Sequence, residues 1–335
     1  MTSAGRASSQ SQQLDAFDRL LEPAPVASDS PAAPRSTGST GAVERSTPEP
    51  STALGVDGGP TLAQFADGIA LYADPILCAV LAGAGLGGLG VFAVLRRAVF
   101  VTATISTAAG LGVVLAFFLQ IHHALELPPV ACALVASLTC TWLVGARPAF
   151  RLSRETLVAL VYVVTSALIV LLGTRIAQEA HDISAVLFGS AVLVRPIDVW
   201  SVLGATTLSF GLLAMLHRPL TFLGFDPDGA RVQGVPVERI DAAFWGVLAL
   251  QVSVATRALG SLPVFAFCVL PSAAGLFVAK RVPGALVIAV GLGALSGGLG
   301  YLAAFLGELP VGASQAAVSA LLALAAYGIA RLCRN

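Results

Sequence analysis

Nine long apolar stretches follow the first 70 residues of the sequence and limit what the chain can fold into. A helix needs roughly 20 residues to cross a hydrocarbon core of about 30 Å. Asp, Glu and Lys occur only at the ends of the stretches, which lack the in–out alternation of barrel strands. We therefore predict an all-α, polytopic helical membrane protein with about nine transmembrane helices. The stretches are 75–95, 98–121, 129–146, 156–174, 198–217, 241–258, 263–279, 284–306 and 311–330.

The overall composition supports the same class of protein. Of 335 residues, 56% are hydrophobic and 11% are charged, and the formal net charge is zero. A soluble protein of this size carries roughly 25% charged residues, so most of this surface must face lipid. No nucleic-acid partner is expected.

Residues 1–60 differ from the rest of the chain because they are rich in Ser, Pro, Ala, Gly and Thr and lack apolar clusters. Such a segment buries too little surface to offset the entropy lost on ordering, so we predict a disordered tail. The membrane domain is predicted at 61–335, where an amphipathic stretch, 61–72, leads along the interface into the first span.

Basic residues are distributed unevenly over the loops between the predicted spans. If the first span ends on the cytoplasmic side, the cytoplasmic segments hold twelve Lys and Arg residues, against three on the other side with the tail left aside. Cytoplasmic loops of membrane proteins carry an excess of basic residues. The sequence therefore predicts a cytoplasmic C-terminus and, with nine spans, residues 1–70 outside.

The stretch GALSGGLGYL, at 293–302, contains Leu-Ser-Gly-Gly, the start of the signature motif of cassette ATPases. It lies within the eighth apolar run, whereas an ATPase signature loop must lie in water beside a nucleotide. A Walker A motif needs Gly-Lys-Ser/Thr, but Ala279 precedes the chain's one lysine, Lys280. The chain is thus predicted not to be the ATPase, and Gly293 and Gly297 are interpreted as a GxxxG packing ridge.

Six stretches, in order from about residue 67 to the end, resemble the ABC-3-type permease subunits of type II importers for zinc, manganese or iron(II). They are LCAVLAGAGLGGLGVFAVLRRAVF (77–100), ISAVLFGSAVLV (183–194), FDPDGARVQGVPV (225–237), LGSLPVFAFCVLPSAAG (259–275), LGALSGGLGYLAAFLGELPVGA (292–313) and the final span.

This resemblance implies a multi-pass subunit of the bacterial cytoplasmic (inner) membrane, with no catalysis and no bound cofactor of its own. A divalent cation would be its cargo. It also implies three partners: a separate ABC ATPase, a solute-binding lipoprotein, and a second permease copy in a homodimer or heterodimer.

The segment 219–240 is the longest predicted cytoplasmic connection and, by the resemblance, the candidate coupling element. Its centre is predicted to be a turn, a short helix and a turn, because Asp226 can cap a helix and Gly234 before a proline can end one. The alternative is an ordinary polar loop. The residues expected to contact the ATPase are Phe225, Asp226, Ala230, Arg231 and Gly234.

Permeases of this family typically place an Asp and, four residues later, a His in the second span. An i, i+4 pair lies on one helical face, and its oxygen and nitrogen atoms suit zinc or manganese. Here the aligned positions are Ala103 and Thr107, so both the carboxylate ligand and the imidazole ligand are missing. Thr102, Ser106 and Thr107 remain as polar candidates for the pathway, although such hydroxyls often bond to their own helix.

The histidines elsewhere do not replace these ligands. His122, His123, His181 and Asp182 fall in predicted outer loops, where they are candidates for receiving a metal or are simply solvated loop residues.

The leading functional prediction is therefore a permease of an ATP-driven importer, with divalent metal as the cargo. A non-metal solute and a degenerate partner subunit are the alternatives that the missing ligands leave open. A secondary transporter would need an ionisable residue at midplane, and an intramembrane protease would need carboxylates or a buried His. The interiors of the nine runs contain no Asp, Glu or His.

Overall fold

The computed structural model describes residues 69–123, 127–145, 153–175 and 194–332, and within these ranges every regular element is a helix. The predicted tail at 1–60 and the candidates His181 and Asp182 lie outside the described residues. The helices are α1 (Ile69–Leu95), α2 (Val99–His123), α3 (Pro129–Gly145), α4 (Arg154–Arg175), α5 (Pro196–Phe225), α6 (Pro227–Val232), α7 (Val237–Leu259), α8 (Ser261–Val278), α9 (Val282–Gly307) and α10 (Val311–Leu332).

Each predicted apolar run corresponds to one long helix, which confirms the all-α membrane fold. Among the described residues, eight helices are long and apolar enough to cross a membrane. The ninth, α3, has 17 residues and a length of about 26 Å at 1.5 Å per residue. It packs along α2 and α7, so its apolar residues are accommodated within the same bundle.

Helix α1 is the hub of the bundle, since it packs against α5, α7, α8 and α9. Its contact with α9 depends on small residues in both helices. A Cβ atom added to Gly83 would overlap the carbonyl oxygen of Gly293, and one added to Gly297 would overlap that of Ala79. The helices therefore approach backbone to backbone, and the predicted packing role of Gly293 and Gly297 is confirmed.

Ion pairs join helix ends that the distribution of basic residues assigns to one side of the membrane. Arg96, just after α1, pairs with Asp241 near the start of α7, and the predicted alternation of spans gives both helices a cytoplasmic end there. Arg257, near the other end of α7, lies 3.9 Å from Asp198 at the start of α5. The fold thus agrees with the alternation of spans from which the sides were predicted.

Candidate transport pathway and coupling site

The polar residues of α2 satisfy much of their hydrogen bonding within the helix. The Thr102 hydroxyl, 1% exposed, donates to the Val99 carbonyl at 2.6 Å. The Thr107 hydroxyl donates to the carbonyls of Ala103 at 3.2 Å and Thr104 at 3.0 Å. This self-satisfaction follows from Thr side chains reaching back one turn, and it uses the hydroxyl protons while the oxygen lone pairs remain.

The same residues face two different neighbours across the bundle. Ser106 donates to the Ser261 carbonyl of α8 at 2.7 Å, and the Thr102 side chain lies beside the Cys268 thiol, which is also on α8. Thr107, in contrast, lies 3.3 Å from the hydroxyl of Thr165 on α4. The structure therefore does not bring Thr102, Ser106 and Thr107 to one point.

Positions 103 and 107 stand one turn apart on α2, as the sequence predicts. Ala103 is 8% exposed and contributes only a methyl group, and Thr107 is half-buried. Among the described residues, no group of three or more His, Cys, Asp or Glu side chains is close enough to hold a metal. What this region offers a cation is hydroxyl and carbonyl oxygen.

A buried polar network connects α5 and α7 deep in the bundle. Gln251 has no exposed surface; its amide nitrogen donates to Thr206 at 3.0 Å, and its amide oxygen accepts from Ser209 at 3.3 Å. Thr206 in turn donates to the Leu81 carbonyl of α1 at 3.2 Å. A Cβ at Gly85 would lie 2.8 Å from the Gln251 nitrogen, so this glycine makes room for the amide.

A second set of buried polar atoms was missed by the sequence reasoning. Gln315 of α10 has no exposed surface, and neither atom of its amide has a hydrogen-bond partner. The hydroxyls of Ser314 and Ser319 on the same helix are also unpartnered. The signal in the sequence is the presence of polar residues within the final apolar run, 311–330.

A cavity of about 680 Å³ lies between α2, α3 and α4. Its walls are almost entirely apolar, and Thr165 contributes one of the few polar groups. A bare cation entering such a space would lose its hydration without gaining charged ligands. The cavity is therefore not suited to be a path for an unliganded metal ion. Typical lining residues are Leu111, Leu115, Val135, Leu143 and Leu160.

The predicted turn, short helix and turn are present between α5 and α7. Asp226 ends α5 and caps α6, since its carboxylate accepts from the Gly229 amide at 2.8 Å. After α6, Gly234 adopts φ +79°, a conformation that a glycine tolerates without strain. The Val235 amide then donates to the Ala230 carbonyl at 3.1 Å, which fastens the exit of α6 to the helix itself.

The five residues expected to contact an ATPase are divided between two surfaces. Phe225 is 70% exposed, and Asp226, Arg231 and Gly234 are also exposed. Ala230 is fully buried in the same apolar cluster as the ends of α5 and α7. Its side chain anchors α6 to the bundle and faces away from any partner. Val232, 88% exposed, was not among the expected contacts and adds an apolar group to the outer face of α6.

His122 is exposed at the end of α2 and stacks on Phe118, with ring centroids 4.3 Å apart. Its Nδ1 lies 3.3 Å from the Phe118 carbonyl. His123 is the last residue of α2, and its side chain, like His181 and Asp182, lies outside the described residues.

Comparison with protein families and curated proteins supplies independent information on this arrangement. The family model for the ABC 3 transport family matches residues 70–330. The manganese import system permease protein ScaB of Streptococcus parasanguinis is 25% identical over 273 residues, covering 80% of this chain and 95% of that protein. The manganese transport system membrane protein MntC of Halalkalibacterium halodurans is 26% identical over 253 residues, covering 75% and 85%.

Two solved structures share the fold. PsaBC from Streptococcus pneumoniae, in complex with Fab, superposes with a TM-score of 0.71 at 22% identity, covering 80% of this chain and 95% of that one. An inward-facing conformation of a metal-chelate type ABC transporter gives a TM-score of 0.64 at 19% identity, covering 83% and 91%.

Proposed function

This chain belongs to the ABC 3 transport family, and from that premise we propose that it is the membrane-spanning permease subunit of an ATP-driven importer of divalent metal ions. The observation that carries the proposal is the extent of the family match. Residues 70–330 include all ten helices except the first residue of α1 and the last two of α10. The proposed function is thus assigned to the whole multi-pass bundle.

Manganese is the cargo proposed first, because curated relatives from several bacteria bear names of manganese permeases. The cation would cross without a carboxylate or imidazole at positions 103 and 107, where this chain has Ala and Thr. Hydroxyl and backbone carbonyl oxygens suit Mn²⁺ as hard ligands but bring no charge. We therefore propose a shallow and transient site, which favours passage over retention.

The energy is proposed to come from a separate cassette ATPase that docks at the exposed face of α6. Arg231 and Val232 are exposed on this face, Phe225 is exposed beside it at the end of α5, and Ala230 holds α6 to the bundle. A helix anchored in this way can convert closure of the ATPase into a change between two helix packings. A solute-binding lipoprotein and a second permease copy complete the proposed assembly.

Metal reception on the outer side is a further part of the proposal, assigned to His122, His123, His181 and Asp182. The exposure of His122 supports it, since that imidazole is accessible at the helix end. Replacing the three histidines by alanine should slow uptake at limiting metal, and unchanged uptake would remove this part.

One observation favours a second candidate function, a permease for a non-metal solute or a degenerate partner of an intact permease. Ala103 and Thr107 replace the two ligands that the family typically has. Both candidates use the same fold and a cassette ATPase, and they differ in whether this chain itself provides a path for the metal.

The experiment is uptake into proteoliposomes that contain the chain, its cognate ATPase and its lipoprotein. ATP-dependent accumulation of radioactive Mn²⁺ is expected, with parallel assays of Zn²⁺ and Fe²⁺. Vesicles with a hydrolysis-deficient ATPase provide the control. Nucleotide hydrolysis that is stimulated without accumulation of any metal would favour the second candidate, and no interaction with a cassette ATPase would contradict both.

A further inference from the structure

An ion pair links the end of α1 to the start of α7. Nη1 of Arg96 lies 2.5 Å from Oδ1 of Asp241, although the two residues are 145 positions apart. The Arg96 side chain is 10% exposed and that of Asp241 is 42% exposed. A charged hydrogen bond with one partner largely shielded from water is screened less than a surface pair.

Aromatic side chains fix the position of this guanidinium. The Cζ atom of Arg96 lies 4.8 Å from the centroid of the Phe244 ring, one turn after Asp241. Phe244 is fully buried and meets Phe92 of α1 edge to face, with centroids 6.4 Å apart. The planar guanidinium thus stacks on one face of a ring that is itself locked by packing.

The pair lies a short distance along the chain from the coupling helix. Asp241 is in the second turn of α7, and only four residues, 233–236, separate α7 from α6. The Val235 amide binds the Ala230 carbonyl, and Ala230 shares a buried cluster with Val237 and Ile240. The geometry therefore joins α6 and the first turns of α7 into one unit, to which Arg96 attaches α1.

We propose that Arg96 is a positioning residue that transmits displacement of α6, through Asp241, to α1. This inference rests on the proposed permease function. Because α1 packs against α5, α7, α8 and α9, a shift of its cytoplasmic end reaches most of the bundle. Without the pair, α6 and α7 move while α1 stays behind, and ATP is hydrolysed with little transport.

Another ion pair in the same region lacks these features. Arg231 and Asp228 of α6 are 3.6 Å apart, with side chains 50% and 90% exposed. Exposed pairs of this kind contribute little, because water and salt screen them. The Arg96 pair instead bridges two separate helices and is supported by a buried ring, so it can hold their relative position.

The test uses the full assembly of permease, ATPase and lipoprotein in proteoliposomes. Arg96→Gln and, separately, Asp241→Asn should lower the metal transported per ATP hydrolysed by about tenfold while ATPase binding persists. Arg96→Lys, which keeps the charge but loses the planar stack on Phe244, should retain part of the ratio, more than Arg96→Gln retains. The matched control is Arg97→Gln, which removes the same charge from the adjacent, exposed position.

A distance measurement separates this inference from the proposed function. Spin labels at Ala73, near the outer end of α1, and at Gln233, after α6, are both on exposed positions. Nucleotide binding to the ATPase should change their separation little in the parent chain, where α1 follows α6, and more in Arg96→Gln, where α6 moves and α1 stays behind. If this difference between the two proteins appears but the parent moves no metal, the proposed cargo fails and the inference stands.

Three results would overturn the inference alone. The first is an unchanged transport ratio in both single variants that fold and assemble. The second is an equal loss in Arg97→Gln, which would show a general effect of charge. The third is a nucleotide-dependent change in the Ala73–Gln233 separation that is equal in the parent chain and in Arg96→Gln. Failure of any ATPase to bind would overturn the inference and the proposed function together.

Discussion

Gly83 of α1 and Gly293 of α9 lie backbone against backbone, each in the space where a side chain on the other would begin. A Cβ at Gly87 would similarly lie 2.5 Å from the Ala289 carbonyl oxygen. In lipid, helix association depends on such close packing, because burying apolar surface gains little there. The contact between the hub helix and α9 is therefore sensitive to single methyl groups.

Replacing Gly83 by Ala should destabilise the fold. The added methyl group would overlap the Gly293 carbonyl, so the two helices must separate, at a cost of about 1–3 kcal/mol for overpacking. Thermal unfolding in detergent measures the effect. Gly204→Ala is the matched control, since nothing lies within 4 Å of a Cβ there, and it should be neutral or slightly stabilising. Equal stability of the two variants would contradict the close-packing argument.

Two fully buried glutamines are expected to respond to substitution in opposite ways. Gln251→Leu removes hydrogen bonds to Thr206 and Ser209 and should lower the free energy of unfolding by about 1–3 kcal/mol. Gln315→Leu removes an amide whose two polar atoms have no partner, so stability should be unchanged or higher. Chemical or thermal unfolding of both variants in the same detergent checks the contrast, and a loss in Gln315→Leu as large as that in Gln251→Leu would refute it.

Restoring the typical ligands of the family should increase metal retention. Ala103→Asp with Thr107→His places a carboxylate and an imidazole one turn apart on α2, where the parent chain has a methyl and a hydroxyl. Tighter Mn²⁺ or Zn²⁺ binding is expected, because a charged ligand offsets part of the lost hydration. Metal bound after gel filtration, measured by mass spectrometry, tests this.

The control for that pair is Thr104→Asp with Ala108→His, which has the same spacing one residue along the helix. Thr104 is fully buried and bonds toward α4, so this pair should bind no additional metal. If neither pair increases binding, the pathway does not pass positions 103 and 107, and a non-metal cargo gains support.

The exposed apolar residues of the coupling segment should matter for partner binding and not for folding. Phe225→Ala and Val232→Ala remove side chains that are 70% and 88% exposed, so unfolding temperature should stay constant. Affinity for the ATPase should fall by about tenfold or more, as for apolar anchors at other interfaces. Met215→Ala, 81% exposed on α5 within the membrane span, is the control. An equal loss of affinity in this control would exclude a specific docking face.

The sequence predicts well those features that depend on neighbouring residues. The length and hydropathy of each run predict the helices, and the GxxxG spacing at Gly293 predicts close packing. Asp226 before a Pro-Asp-Gly stretch predicts the capped α6, since a cap bonds only three residues ahead. The missing ligands at positions 103 and 107 are also evident from sequence.

Other features depend on contacts between distant parts of the chain. Ser106 bonds to Ser261, 155 residues away, and Arg96 pairs with Asp241 across 145 residues. No local pattern encodes which helices become neighbours or how each is rotated, because that depends on the packing of the whole bundle. For the same reason, the burial of Ala230 is not evident from the sequence of a polar segment.

The sequence by itself determined that this chain is a helical membrane protein with a short capped helix between two spans, because hydropathy and capping act over a few residues. Only the tertiary structure decided that Thr102 and Ser106 face α8 while Thr107 faces α4. It also decided that Gln251 has partners and Gln315 has none. The physical reason is that hydrogen bonds and ion pairs between helices need atoms within about 3 Å, and only the packed arrangement of all the helices fixes such distances.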